Sequence, residues 1–345
     1  MDKIDIVIPW VDGNDSEWQK EKEKYDTSTK KDYNNSSMRY RDWGTLRYTL
    51  RSIEKNLPWY NKIYLITTGH YPDWLDINHD KVVLVTHDDL YFDQSHLPIF
   101  SSSSIEMNLA NIQGLSEKFI YMNDDFIIMK ELNIERFFKN NKPVDFLSHG
   151  WLARNGLFKK LRGMNSWSHS IKNNLDLINQ KFYPIQLDKM HLYHNSYSLK
   201  DKISNFVLVN FYKKFLWIEH WHFPQPYLRT TLIETHNIFQ KEMMRCSSNR
   251  FRADNDLTQY LYRYWQLVTG NFFPYKHNDG LYCKIESKED IDQCLESIGG
   301  YTFFCPNDSV LDDISKEENQ YIEERLLAKL NEYFPNKASF EKLDN

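Results

Sequence analysis

Asp124 and Asp125 lie in "YMNDDFIIM" (121–129), between segments apolar enough to be buried. A buried carboxylate must be solvated, paired or bound to a cation, because an isolated charge in an apolar interior is prohibitively costly. Adjacent acids behind Asn123 suit a hard divalent cation. Mg²⁺ and Mn²⁺ favour oxygen ligands, and Mg²⁺ is commonly held by one or two carboxylates plus substrate phosphates. Side chains alternate along a strand, so one of the two acids is a direct ligand and the other caps a loop or the sheet edge. An acid pair after a strand is equally often a plain turn.

Three further stretches carry reactive side chains. "EHWHFP" (219–224) places His220 and His222 two residues apart, without a third zinc ligand at a familiar spacing. "NRFRADND" (249–256) groups Arg250 and Arg252 with Asp254 and Asp256; it reads either as a salt-bridged helix start or as an arginine for phosphate. "RYRDW" (39–43) invites the same two readings.

The elements that must position these residues are legible in part. "IDIVIPWV" (4–11) reads as a buried strand that delivers Asp12 at its C-terminal end. "KIYLITT" (62–68), "KVVLVTH" (81–87) and "KFIYM" (118–122) read as three more strands, the last ending at Asn123. Leu46, Leu50, Ile53 and Leu57 fall at helical spacing over 45–57, with Pro58 as the stop signal. Ile105, Leu109, Ile112 and Leu115 make one apolar stripe over 101–115, with Ser103 and Glu106 spaced for a capping box. Residues 315–334 form a helix, with Ser315 and Glu318 as its capping box. Strands alternating with helices predict an α/β fold with a wound, mostly parallel sheet, whose ligands bind beyond the carboxyl ends of the strands. The expected division is an α/β core over 1–140, a helical insertion over 141–215 and a return to the core over 216–345. "RNG" and "RGMN" mark turns inside the insertion, and "IKNNLDLINQKF" (171–182) is amphipathic.

Composition narrows the class. The 345 residues are 41% hydrophobic and 26% charged, as in a globular protein. A net charge of −5 argues against a dedicated nucleic-acid binder. No run approaches the roughly 18 apolar residues of a membrane span, and "MDKIDIVIPW" does not read as a signal peptide. Cys246, Cys283, Cys294 and Cys305 are widely spaced without a CxxC pair, so free thiols in the cytoplasm are expected, not a disulfide framework. The sequons in "NNSS" (34–37) and "NDS" (307–309) carry no meaning in a chain that is not secreted. Aromatic residues reach 15%; they form a Tyr/Phe-rich core or, in "NFYKKFLWIEHWHF" (210–223), a sugar-stacking surface.

Taken in order, "IDIVIPWVDGND", "LRYTLRSIEKNLPW", "IYLITTGHYPDWL", "VTHDDLY", "LPIFSSSSIEMNLANIQGLSEKFIYMNDD", "HFP" and "PND" resemble the Stealth family. Its members include bacterial capsular polysaccharide phosphotransferases and the catalytic core of the animal N-acetylglucosamine-1-phosphotransferase. The resemblance is nearly continuous over 36–130 and resumes around 222–261 and 301–336. It implies a sheet of the glycosyltransferase-A or Rossmann-like kind and transfer of a sugar-1-phosphate from a nucleotide-sugar, usually a UDP-sugar, to an acceptor hydroxyl with release of UMP. The matching catalytic positions are Glu106, Asp125, His222 and Arg252. Asp12, Arg39, Asp42, Asn123 and Asp124 match nucleotide-sugar positions, and Asp125 with Asp308 would hold Mg²⁺ or Mn²⁺.

His222 is read as the base, a phosphohistidine intermediate being the minor alternative. Glu106 orients the acceptor or the histidine if it is not spent on the capping box. Pro306 before Asn307 and Asp308 departs from the apolar residue usual in the family. Long inserted modules of the animal enzyme are missing, so the implied acceptor is a bacterial polysaccharide or its lipid-linked precursor. That implies cytoplasmic action at the inner face of the membrane, although no basic amphipathic anchor is legible. The competing enzyme is a conventional metal-dependent glycosyltransferase that releases UDP. A non-enzymatic glycan-binding module is the third reading.

Overall fold

The computed structural model describes residues 2–26, 39–150, 166–310 and 314–342. Its main sheet has five strands. Four are parallel: β1 (Ile4–Pro9), β2 (Ile63–Thr67), β3 (Val82–Thr86) and β4 (Lys118–Tyr121). β5 (Gln225–Leu228) pairs antiparallel with β4, giving the order β3-β2-β1-β4-β5. The fold is therefore α/β with a mostly parallel sheet, as the alternation of strands and helices predicts.

β1 and β4 are neighbours, in register at Val7 and Tyr121, so their carboxyl ends open side by side. β1 is buried through its first five residues. Asp5, fully buried within it, accepts from Asn61 Nδ2 at 2.7 Å and from the Ser116 amide at 2.7 Å, which offsets its desolvation. The Thr45–Asn56 helix packs Leu46, Leu50 and Ile53 beneath the sheet, close to the expected span. It starts at Gly44 (φ 72°), whose amide donates to Asp42 Oδ1 at 2.6 Å.

A second sheet, β6 (Gly280–Ile285) parallel to β7 (Phe303–Asp308), closes on the short Ile127–Ile128 strand just after the acid pair. The middle of the chain is largely helical: Ser166–Ile178, Lys189–Leu192 and Leu199–Phe211. The "RNG" and "RGMN" turns lie outside the described residues. Arg263, with no exposed surface, clasps Asp145 through Nε (2.9 Å) and Nη2 (2.8 Å) and also donates to the carbonyls of Glu219 and Phe146.

Four expectations are corrected. The stripe over 101–115 is not one helix: it breaks into Ser102–Glu106 and a 3-10 turn at Leu109–Asn111. Ser104 and Asn108 turn their side chains to Ser247 at the break. No capping box forms at Ser103 and Glu106, because the glutamate is bonded elsewhere. At 315–318 the box is half made: Ser315 Oγ accepts the Glu318 amide, but the Glu318 carboxylate accepts from the Lys288 amide. Nor are all four cysteines free. Cys283 in β6 and Cys294 in the Lys288–Ser297 helix form a disulfide; Cys246 and Cys305 are buried thiols. A strand followed by a helix packed against it brings positions 11 apart within bonding range, which spacing alone does not disclose.

Candidate active site

The open ends of β1 and β4 form the floor of a cleft. Asn123, Asp124 and Asp125 border it, with Glu106 and Arg252 on one side and His222, Asn307 and Asp308 on another. Arg39 and Arg41 come from the segment between the Ser16–Tyr25 helix and the Thr45–Asn56 helix, and Trp10, Trp18, Tyr40 and Trp43 add aromatic wall.

β4 stops at Tyr121, and a turn closed by the Phe126 amide on the Asn123 carbonyl follows. Strand alternation therefore does not act on Asp124 and Asp125, and both border the cleft instead of facing opposite ways. The Asp124 carbonyl accepts from Thr49 Oγ1 at 2.6 Å, which ties the turn to the Thr45–Asn56 helix. Asp125 Oδ2 takes a weak S–H bond from Cys305 at 3.5 Å, while Oδ1 is buried without a hydrogen-bond partner. Burial, with Asp308 nearby, pushes the Asp125 carboxyl up to about 6. Burial, Asp125 and Asp42 push Asp124 well above the usual carboxylate range. Two carboxylates that resist ionising next to one another define a place that favours positive charge.

Asp308 ends β7, despite Pro306 in the strand, and meets Arg41 Nη1 at 3.1 Å. Among the described residues no group of three or more His, Cys, Asp or Glu makes a ready-made metal cage. An open Mg²⁺ site needs no such cage, only one or two carboxylates with water and phosphate completing the shell. The partnerless Oδ1 of Asp125 fits that requirement.

Glu106 accepts from Tyr121 Oη at 3.0 Å and from the Gln259 amide at 2.7 Å. Burial still raises its carboxyl to about 7, against the opposing pull of those donors and Arg252. Arg252 reaches Ser102 Oγ at 3.0 Å from a loop folded around Asp256, which accepts from the Ala253 amide and Asn249 Nδ2. Arg250 is structural: it donates to the Leu97 carbonyl and stacks over Tyr25. "NRFRADND" is thus a loop, and the helix after it starts at Tyr260.

The two histidines diverge. His222 borders the cleft with its ring edge-on to Phe126 (5.2 Å) and Tyr282 (5.5 Å). Burial lowers it to about 4, so the imidazole is neutral at pH 7. His220 bonds Tyr264 Oη among Trp167, Trp217 and Tyr260. Of the aromatic stretch 210–223, His222 and Phe223 border the cleft. Asp42 accepts from Trp10 Nε1 at 3.0 Å and the Gly44 amide, which sets that tryptophan. Asp12 folds its own turn: its carboxylate accepts the Asn14 amide and its amide donates to His70 Nε2. Arg41 and Cys305 were not singled out from sequence. Arg41 lies inside "RYRDW", but nothing local distinguishes it from Arg39.

A mostly parallel α/β sheet with a charged cleft beyond its strand ends is the architecture of an enzyme that handles a bound ligand there. The model for Stealth protein conserved region 2 matches residues 39–146, and that for conserved region 1 matches residues 2–30. The capsular polysaccharide phosphotransferase WcwK of Streptococcus pneumoniae is 35% identical over 99% of both chains. The receptor polysaccharide phosphotransferase WefC of Streptococcus gordonii is 33% identical, again over 99% of both. The chain belongs to the Stealth family and is a transferase of phosphorus-containing groups in polysaccharide synthesis. The solved galactosyltransferase LgtC aligns with 97% of this chain and 98% of its own at 9% identity, with a TM-score of 0.41.

Proposed function

We propose that this enzyme transfers a sugar-1-phosphate from a nucleotide-sugar, a UDP-sugar by preference, to a hydroxyl of a bacterial capsular or cell-surface glycan. The acceptor oxygen attacks the β-phosphorus, the P–O bond to the nucleotide breaks, UMP leaves and a phosphodiester forms. The observation that carries this reading is the juxtaposition, in one cleft, of the partnerless Asp125 oxygen with Arg39, Arg41 and Arg252. Phosphoryl transfer is chiefly a matter of positioning and charge neutralisation, which such a mixture supplies.

Arg252 suits bidentate contact with phosphate oxygens. His222, neutral at pH 7, accepts the proton of the acceptor hydroxyl. Its weak basicity strengthens once an anionic substrate lies beside it, because nearby negative charge favours the imidazolium. Glu106, fixed by Tyr121 and Gln259, orients the acceptor. Asn123, Asp124 and Arg39 line the nucleotide-sugar side, while Asp12 and Asp42, which do not border the cleft, support it through their turn and through Trp10. Mg²⁺ or Mn²⁺ held by Asp125, with Asp308 close by, would neutralise pyrophosphate charge. Among the described residues no helix is long and apolar enough to cross a membrane. The reading places the enzyme in the cytoplasm, at the inner membrane face where lipid-linked acceptors are carried.

The test follows the broken bond. Incubated with a panel of UDP-sugars, Mg²⁺ and a short acceptor, the enzyme should release UMP in proportion to product, with one phosphodiester resonance per transferred sugar by phosphorus NMR. Stoichiometric UDP with a phosphorus-free glycan would replace this reading with a conventional glycosyltransferase.

A further inference from the structure

The Leu199–Phe211 helix is inside out. A helix packed on a globular core ordinarily turns its apolar stripe inward. Here the buried face carries Asp201, Ser204 and Asn205 beside Leu208. Asp201 accepts from Ser148 Oγ at 2.6 Å and Lys276 Nζ at 2.7 Å. Asn205 donates to the Leu147 and Leu192 carbonyls and accepts the His149 amide. The opposite face shows Leu199 (74% exposed), Ile203 (48%) and Phe206 (52%) to solvent. At helical spacing these three fall within an arc of about 60°. Ile185 (75%) and Met190 (63%), on two short elements packed against this helix, extend the exposed apolar surface, as does Phe211 at its end. A concentration of this kind marks an interaction site.

Charge identifies the occupant. Residues 181–214 contain six lysines, two aspartates and no glutamate or arginine, a net of +4 in a chain of −5. One of the aspartates is the buried Asp201. Lys200 and Lys202 flank the apolar arc on its two sides, and the exposed Lys213 and Lys214 follow the helix. A second copy docked face to face would set lysine against lysine. An anionic bilayer offers what both halves of the surface need, acyl chain for the arc and headgroup phosphate for its rim.

We infer that the outer face of the Leu199–Phe211 helix is a docking surface for an anionic membrane. The inward side of the helix holds residues 147–149, which bridge to Ile218 shortly before His222, so docking would fix the cleft relative to the bilayer. The inference stands independently of which donor bond is broken.

The test uses the full chain with vesicles of phosphatidylglycerol and phosphatidylcholine in equal parts, against phosphatidylcholine alone. Co-sedimentation should be strong on the anionic vesicles, weak on the neutral ones and diminished by salt. Ile203→Ser combined with Phe206→Ser should weaken anionic-vesicle binding at least about tenfold, with thermal unfolding little changed because both side chains are half exposed and neither belongs to the buried core. Lys200→Gln and Lys202→Gln should each cost about fivefold. Absent binding by the native chain, or equal binding by the serine variant, would overturn the inference. So would a dimer in sedimentation velocity that the serine substitutions dissolve, since the face would then belong to a second copy.

Discussion

Replacing Asp125 with asparagine should kill transfer and stabilise the metal-free protein at the same time. Burial raises its carboxyl from the usual carboxylate range to about 6, so the folded state holds a proton more tightly than the unfolded one. Ionised at neutral pH, the group works against folding. At pH 7.5 the penalty is about 3 kcal/mol, and at pH 5 about half of that, vanishing below the unfolded value. Asp125→Asn removes it. With an unfolding entropy scaled to a chain of this length, the gain corresponds to a rise of about 4 °C in Tm at pH 7.5. Scanning calorimetry with chelator at the two pH values measures it directly. Mg²⁺ should raise the Tm of the native chain and leave that of the variant unmoved. An asparagine variant less stable than its parent at pH 7.5, or a gain indifferent to pH, would refute the account of Asp125 as a strained carboxylate awaiting a cation.

Arg263→Met should lower stability by about 3–5 kcal/mol in urea unfolding, since it strands the buried Asp145 carboxylate. Adding Asp145→Asn should recover part of that loss; no recovery would mean the pair is not the cause. His222→Ala should cut turnover by about 10²–10⁴ with nucleotide-sugar binding retained by calorimetry, whereas lost binding would make its role one of holding the donor. His220→Ala should instead cost about 1–3 kcal/mol of stability through the Tyr264 bond and its aromatic neighbours, and a turnover loss as large as that of His222→Ala would contradict this division. Reducing Cys283–Cys294, which closes a loop spanning 11 positions, should lower stability by about 3 kcal/mol. An unchanged Tm in reductant would remove the bridge from the stabilising contacts.

The first four strands were legible because each is a β-branched apolar run whose burial needs no distant partner to be inferred. β5 was not: "QPYL" contains a proline and earns its place by docking antiparallel on β4. The break after Glu106 was equally hidden, since Ser104 and Asn108 are drawn to Ser247, far along the chain. At the cleft, residue types pointed to Asp125, but its character comes chiefly from its burial, in company with Cys305 and Asp308, which arrive on β7. The inverted polarity of the Leu199–Phe211 helix depends on where Asp201 and Asn205 find partners, which periodicity cannot specify.

The order in which the chain supplies its cleft also governs when a nascent molecule becomes an enzyme. β1 arrives first yet pairs with β2 and β4, and the floor they make stays open until His222, Arg252 and finally Asp308 are added. At about 5–20 residues per second, a ribosome needs about 9–37 s to pass from Tyr121, where that floor is complete, to Asp308. During that interval a parallel sheet with unfilled edges must persist, or re-form repeatedly, beside an exit tunnel that has not yet released its closing pieces. Synthesis rate and chaperone supply, more than the affinity of the finished cleft, would then set the yield of active molecules in a heterologous host.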